Sequence, residues 1–297
     1  MTDRDLYRLD KKHVRLAFDR AASSYDAAAV LQKEVATRLI GRLDFIKHQP
    51  RSILDLGSGT GYCASLLAKR FPKARIVSLD LAPSMLKQAR KRKGWFSSQR
   101  FACGDAEAMP FAEHSFDLVV SSLAIQWCQN LDAVFSEQQR VLRPDGLLLF
   151  TTFGPDTLSE LRASWQKVDG YNHVNAFMDM HDIGDAMGRA RLGHPLMDVE
   201  RIVLTYEKAT DLMRELKAIG AHNVTAGRSH ALTGKQRLLA LTEAYESFRR
   251  TEDGRLPATY EVVYGHGWGP ASASTVDQGS VHVPMDMLRQ QLKDSGS

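Results

Sequence analysis

From residue 52 onward, short apolar runs alternate with longer stretches whose apolar residues recur at helical spacing, the pattern of parallel strands joined by helices. Runs at 52–56, 75–80, 100–102, 116–121 and 147–153 predict five strands, and 62–70, 83–91 and 131–141 predict the intervening helices. Arg143-Pro144-Asp145-Gly146 has turn chemistry and should end one helix and launch the next strand. Upstream, Val14, Leu16 and Ala17, then Val30, Leu31, Val35, Leu39 and Leu43, keep helical spacing on either side of Ser23-Ser24, so two amphipathic helices are expected to pack on or over the core. Helical stretches at 157–165 and 180–190 stand where a further strand is expected and read as an insertion. Strands at 200–206 and 259–265, bracketing helices at 209–219 and 235–250, then complete an α/β sheet. The expected organisation is a helical cap over 1–50, a core over 51–153, a helical insertion and lid over 154–198, the rest of the sheet over 199–270 and a disordered tail over 271–297.

The chemistry concentrates at strand ends. Asp55-Leu56-Gly57-Ser58-Gly59-Thr60-Gly61 follows an apolar strand and precedes a helical pattern, so its glycines stand where the backbone turns tightly and approaches a ligand at a helix N-terminus. The dinucleotide fingerprint would place its third glycine at position 62, which is Tyr62, and this weakens a nicotinamide reading. Asp80, at the end of the next strand and followed by Leu81, stands where a carboxylate accepts two ribose hydroxyls. Gly104-Asp105-Ala106 follows the third strand, and Ser121, Ser122 and Leu123 end the fourth.

These segments resemble the class I S-adenosylmethionine-dependent methyltransferases. The resemblance implies a Rossmann-like seven-stranded fold with N-terminal helices and a helical insertion after the fifth strand. It also implies S-adenosylmethionine as cofactor, released as S-adenosylhomocysteine. Asp55, Gly57, Ser58, Gly59 and Gly61 would lie under its methionine moiety, Asp80 and Leu81 at the ribose, Asp105 and Ala106 at the adenine, and Ser121 beneath. Phe18-Asp19-Arg20-Ala21-Ala22-Ser23-Ser24-Tyr25-Asp26, Phe150-Thr151-Thr152-Phe153-Gly154-Pro155-Asp156-Thr157-Leu158 and Met178-Asp179-Met180-His181-Asp182-Ile183-Gly184 narrow this to the malonyl-acyl carrier protein O-methyltransferases of biotin synthesis. So do Leu216-Lys217-Ala218-Ile219-Gly220-Ala221, Ala226-Gly227-Arg228, Leu232-Thr233-Gly234 and the segment from Pro257 to His266. That family methylates the free carboxylate of a malonyl thioester held on an acidic acyl carrier protein. A carboxylate is ionised at neutral pH, so no general base is required. On this reading Tyr25 is a lid residue, Phe153 part of the substrate wall and Arg143 an orienting partner for the carboxylate.

Charge and composition add limits. A formal charge of +4 is too small to argue for nucleic acid, but Arg189, Arg191, Arg201, Lys208, Arg214, Lys217 and Arg228 cluster in sequence after the insertion, and some of them are expected to share a basic surface for the carrier. Three widely spaced cysteines fit neither a disulfide framework nor a zinc site. His173, His181 and Asp182 lack further ligands at metal spacing, so no metal is expected. Without an apolar leader or membrane span, a soluble cytoplasmic monomer is expected. The alternatives are a methyltransferase for another small or lipid-like acceptor, an arginine hydroxylase or assembly factor on the same scaffold, and a nucleoside-binding module without turnover.

Overall fold

The computed structural model describes residues 9–94, 98–169, 171, 173–221 and 234–270. In chain order the elements are α1 (Lys11–Ala21), α2 (Tyr25–Ala28), α3 (Val30–Gly41), β1 (Ser52–Leu56), α4 (Tyr62–Arg70), β2 (Arg75–Asp80), α5 (Pro83–Arg92), β3 (Arg100–Cys103), β4 (Phe116–Ser122), α6 (Leu131–Val141), β5 (Leu142–Phe153), α7 (Ser159–Gln166), α8 (Met180–Arg189), β6 (Gly193–Tyr206), α9 (Ala209–Ala218), α10 (Lys235–Glu246) and β7 (Leu256–Trp268). The turn Ala226-Gly227-Arg228, the residues Leu232-Thr233 and the tail 271–297 lie outside the described residues.

Helix starts follow local chemistry. The Asp10 carboxylate accepts from Lys12 N (2.9 Å) and His13 N (3.2 Å) at the head of α1, Asn130 Oδ1 accepts from Ala133 N (3.1 Å) in α6, and Pro83 opens α5. The strands form one seven-stranded sheet in the order β3-β2-β1-β4-β5-β7-β6. The strands β1 to β5 run parallel, and β7 is antiparallel to both its neighbours. Because β1 pairs with β2 on one side and β4 on the other, the winding reverses there, and a crevice opens beyond the carboxyl ends of β1 and β4.

The two-residue strand period divides the core. Ile53, Leu118, Val120, Leu147 and Leu149 face α3, α4, α7, α9 and α10. Leu54, Leu56, Val119, Leu148 and Phe150 face α6 and α8. Leu118 is fully buried, so Leu118→Ala would cost about 2–5 kcal/mol by leaving a cavity between sheet and helices.

Three boundaries differ from expectation. The N-terminal region holds three helices rather than two, because the chain turns at both Ser24 and Ala29. Strand β5 starts at Leu142 and absorbs the expected Arg143–Gly146 turn, with Asp145 in the left-handed region at φ +58° and a register shift against β4. Strand β6 starts at Gly193, inside the interval expected to be helical insertion. It is an edge strand with much of its length exposed, which leaves little apolar alternation to read. Among the described residues no helix is long and apolar enough to cross a membrane.

Candidate active site

The glycine-rich turn leaves β1 and folds back onto β2. Gly57 N and Ser58 N donate to Leu79 O at 2.8 and 3.0 Å, and Gly59 N donates to Asp80 Oδ2 at 2.8 Å. Each glycine answers to a different neighbour. A Cβ on Gly57 (φ +70°) would meet Ala124 Cβ at 2.2 Å, and one on Gly61 (φ +81°) would meet Ala89 Cβ at 2.9 Å, so those two serve close packing. At Gly59 (φ +52°) a Cβ would meet no protein atom within 4 Å; it would project into open space.

Gly59 lines a cavity at the sheet's carboxyl end. Gly57 and Gly59 line it, with Asp80 and Leu81 at the end of β2 and Asp105 and Ala106 just beyond the end of the neighbouring β3. Phe18, Tyr25 and Trp127 cover it, with the Phe18 and Trp127 rings edge to face at 5.2 Å. The cover is anchored at several points. Lys11 Nζ donates to Asp105 Oδ2 (2.6 Å) and lies 2.8 Å from Glu107 Oε2. Ser84 N donates to Asp19 Oδ1 (2.8 Å), and Asp26 accepts from Thr60 Oγ1 (2.6 Å) and Arg92 (2.5 Å).

Burial governs the local electrostatics. The Asp80 carboxylate accepts from Gly59 N and from Ala82 N (2.8 Å), but its desolvation outweighs those bonds and pushes its pKa up to about 6. Burial pushes Asp55 up to about 7, and its Oδ2 has no hydrogen-bond partner among the described residues. Burial, with Asp80 and Asp26 nearby, raises the Tyr25 phenol well above its ordinary range, so at neutral pH Tyr25 is an O–H donor and not a base.

Of the residues singled out from sequence, Gly57, Gly59, Asp80, Leu81, Asp105, Ala106 and Tyr25 converge on this cavity. Asp55 and Ser58 line a smaller adjoining recess beneath the turn, with Gln32 and Ser122. Gly61 lies behind the turn against α5. Ser121 is fully buried and lines neither space; the strand alternation gives that position to Ser122. Phe153 packs against Phe177 (5.5 Å) and Tyr260 (5.7 Å) and lines a separate, wider groove.

Arg143 is a correction. It sits at the amino end of β5, beside the start of β4, while the cavity lies at the carboxyl ends. Its guanidinium donates to Asp117 Oδ1 (2.8 Å) and His114 O (3.1 Å), so it is not an orienting group for a substrate carboxylate. The basic residues expected near the carrier divide between two faces. Arg189 pairs with Asp132 (2.8 Å) on the α6 layer and Arg201 with Asp156, whereas Arg214 and Lys217 lie on α9 across the sheet. Arg228 lies outside the described residues.

Asp179 caps α8 by accepting from His181 N at 2.8 Å. His173 is stacked on Trp165 at 3.6 Å and lies 2.7 Å from Asp169 Oδ1. The described residues contain no group of three His, Cys, Asp or Glu able to hold a metal ion.

Sequence reasoning passed over Lys11, Phe18 and Trp127 as cavity residues. Phe18 and Tyr25 stand seven positions apart, the spacing of two helical turns, but α1 ends between them and only their shared packing with Met85 reveals that they face one space.

A family model described as a methyltransferase domain matches residues 54–150. The chain is 54% identical, over 90% of its length and 92% of the relative's, to a malonyl-[acyl-carrier protein] O-methyltransferase of Laribacter hongkongensis. It is 44% identical, over 99% and 100% of the two lengths, to the protein of that name from Halorhodospira halophila. Among solved structures, a putative methyltransferase of Bacillus halodurans shares the fold at TM-score 0.57 and 22% identity, covering 80% of this chain and 99% of that one. So does a Haemonchus contortus phosphoethanolamine N-methyltransferase in complex with S-adenosyl-L-methionine, at TM-score 0.52 and 18% identity, covering 85% and 57%. The relatives' identity over nearly the whole length places the chain: it belongs to the malonyl-[acyl-carrier protein] O-methyltransferase family.

Proposed function

We propose that this protein transfers a methyl group from S-adenosylmethionine to the free carboxylate of a malonyl group carried on an acyl carrier protein, the masking step that opens biotin synthesis. The observation that carries the reading is the cavity itself, in a chain whose relatives bear that name. A glycine whose Cβ would enter open space, a pinned carboxylate and a second carboxylate at the end of the neighbouring strand suit a nucleoside with a flexible tail.

In this assignment the Asp80 oxygens accept the ribose hydroxyls, Asp105 and Ala106 meet the adenine, and Leu81 packs against its face. Gly59 admits the methionine tail, while Gly57 holds the turn against Ala124 and Asp55 and Ser58 border the recess beneath. S-adenosylmethionine supplies a methyl group on a sulfonium, which an ionised carboxylate takes by direct displacement, leaving a neutral thioether. No proton moves in that displacement, so the protein's tasks are alignment and exclusion of water. Phe18 and Trp127 close the cavity with apolar surface, and Tyr25 offers its retained O–H as a hydrogen-bond donor beside the reacting groups. Phe153 contributes to the acceptor's wall. The three cysteines, none of them in a disulfide, suit a cytoplasmic setting.

The test is turnover. Purified protein, methyl-labelled S-adenosylmethionine and malonyl-carrier protein should yield a carrier heavier by one methyl group, and the gene should restore biotin-independent growth to a methyltransferase-deficient strain. Label transfer to another acceptor with none to malonyl-carrier would replace the substrate; binding without any transfer would leave a nucleoside-binding module.

A further inference from the structure

The larger groove beside the cofactor cavity runs between α1, α7 and α9 and holds about 980 Å³. Its inner end meets that cavity at Trp127, which lines both, and meets the recess under the glycine turn at Gln32. It is far roomier than a malonyl group needs, and its walls are mostly apolar, among them Leu161, Trp165 and Phe177. The Trp165 wall is stiffened by the His173 stack and by Asp169 behind it.

Two features set polar requirements for an occupant. At the mouth, Arg20 in the last turn of α1 and Lys217 in the last turn of α9 are exposed, and neither has a hydrogen-bond or ion-pair partner among the described residues. The helix ends that carry them are held together: Ser24 Oγ donates to Ala218 O (2.9 Å), and Gly220 packs so closely that a Cβ would lie 3.1 Å from Ala17 O. Arg214, by contrast, is paired with Asp211 at 2.8 Å. Deeper in, Asn175 is 7% exposed and its Oδ1 has no partner among the described residues, an arrangement that favours an incoming N–H donor.

We propose that this groove seats the phosphopantetheine arm through which a carrier protein presents its malonyl thioester, with the arm's phosphodiester between Arg20 and Lys217 and one of its amide N–H groups donating to Asn175 Oδ1. The assignment rests on the function proposed above. A flexible chain with an anionic head, two amides and an apolar sulfur end matches a groove that offers exposed cations, a buried acceptor and aromatic walls and reaches the cofactor cavity at Trp127. A free dicarboxylic acid leaves the mouth and the acceptor unused.

The test compares the malonyl thioesters of phosphopantetheine and of pantetheine, which differ only in the phosphate. Wild-type protein should favour the phosphorylated compound by about tenfold in kcat/KM, chiefly through KM, and lose that preference as salt rises. The double variant R20E/K217E should bring the ratio to one or below, and should raise KM for malonyl-carrier protein at least as much. Asn175→Leu, which keeps the volume, should raise KM for both thioesters alike. Calorimetric S-adenosylmethionine affinity near the wild-type value reports that each variant is folded; where Asn175→Leu fails that check, Asn175→Asp takes its place. Wild-type protein without phosphate preference, or R20E/K217E retaining it, overturns the groove assignment while leaving carboxyl methylation intact. Absence of transfer to any malonyl thioester defeats the underlying reading instead.

Discussion

Around the glycine-rich turn most polar groups already have partners: Leu79 O receives two amides, Asp80 accepts from Gly59 N and Ala82 N, and Asp105 is held by Lys11. Asp55 Oδ2 and Ser58 Oγ, beneath the turn, are the exceptions, whereas in the groove beyond Trp127 the buried Asn175 Oδ1 and the mouth cations Arg20 and Lys217 have no partner among the described residues. The first region is preorganised, so a nucleoside would gain hydrogen bonds there without reorganising the chain. The second supplies apolar walls and unmet polar groups, and an arm entering it would complete structure as well as bind. Cofactor affinity should therefore respond to backbone shape at the turn, and acceptor affinity to side chains in the groove.

The largest break in that contrast should come from the glycines. Gly59→Val places a branched side chain in the cavity and should weaken S-adenosylmethionine binding by roughly 100-fold or more, about 3 kcal/mol, while the left-handed φ costs the fold only about 1–2 kcal/mol. Gly57→Ala should behave in the reverse sense, since its Cβ collides with Ala124: a pronounced fall in Tm precedes any effect on affinity. Calorimetry beside thermal unfolding separates them, and equal effects on both readouts would show that the turn is not divided as described.

Next in size is the ribose carboxylate. Asp80→Ala should weaken S-adenosylmethionine binding by about 1–3 kcal/mol, the scale of lost hydrogen bonds to a charged acceptor. The same carboxyl predicts a pH dependence. Ribose hydroxyls donate to the ionised form, so affinity should be full above about 6 and fall below it, approaching tenfold per pH unit when only that form binds. The unliganded fold responds with the opposite sign. Asp80 is raised from 3.8 to about 6 and Asp55 to about 7, so the stability tied to their protonated forms is present at low pH and lost as pH rises through those values. Stabilisation by the cofactor should thus grow from pH 5 to pH 8. A dissociation constant flat across pH 5 to 8 would remove Asp80 from the ribose.

Tyr25→Phe should act less strongly. It removes one O–H and keeps the ring over the cavity, so turnover should fall by roughly tenfold with cofactor affinity within about threefold of wild type. Rate loss that instead tracks loss of affinity would make Tyr25 part of the cofactor seat.

What was legible in the sequence follows from how local the signal is. The bounds of β1, β2, α4 and α6 agree with expectation because each is a buried run or amphipathic stretch ended by Gly, Pro or a charged turn within a few residues. Asp80 and Gly59 were legible for the same reason: motif and function share one strand–turn–helix. Positions set by distant packing were not. The interval 193–198 gave no strand pattern because an edge strand lets solvent reach both faces, and Phe18 meets Trp127 only through the tertiary fold. Ser121 was misplaced by one residue, enough in a strand to turn a side chain to the other face. Arg143 was misjudged although its place before the strand puts it at the strand's amino end, because only the parallel sheet shows that the cavity gathers at the opposite, carboxyl ends.

Arg143 therefore supplies the smallest expected effect and a sharp test of the two-ended layout. Asp117 accepts from Arg51 N (2.9 Å) and Ser52 N (2.8 Å) as well as from Arg143. Burial alone would raise this carboxyl; the Arg143 bond and the two amides outweigh it and hold the pKa below its ordinary value. Its stabilising contribution is consequently present above the unfolded carboxylate range and lost as pH falls through the depressed value. The guanidinium side chain is 40% exposed and the two amides persist without it, so Arg143→Ala should cost at most about 1 kcal/mol, less at high salt. Because the residue stands at the strand's amino end, kcat and KM for malonyl-carrier protein should remain within about twofold of wild type. A shifted urea midpoint with unchanged kinetics keeps Arg143 as a tie between β5 and β4, whereas a substantial rise in KM with an unchanged midpoint would return it to the acceptor and undo the separation of the sheet's two ends.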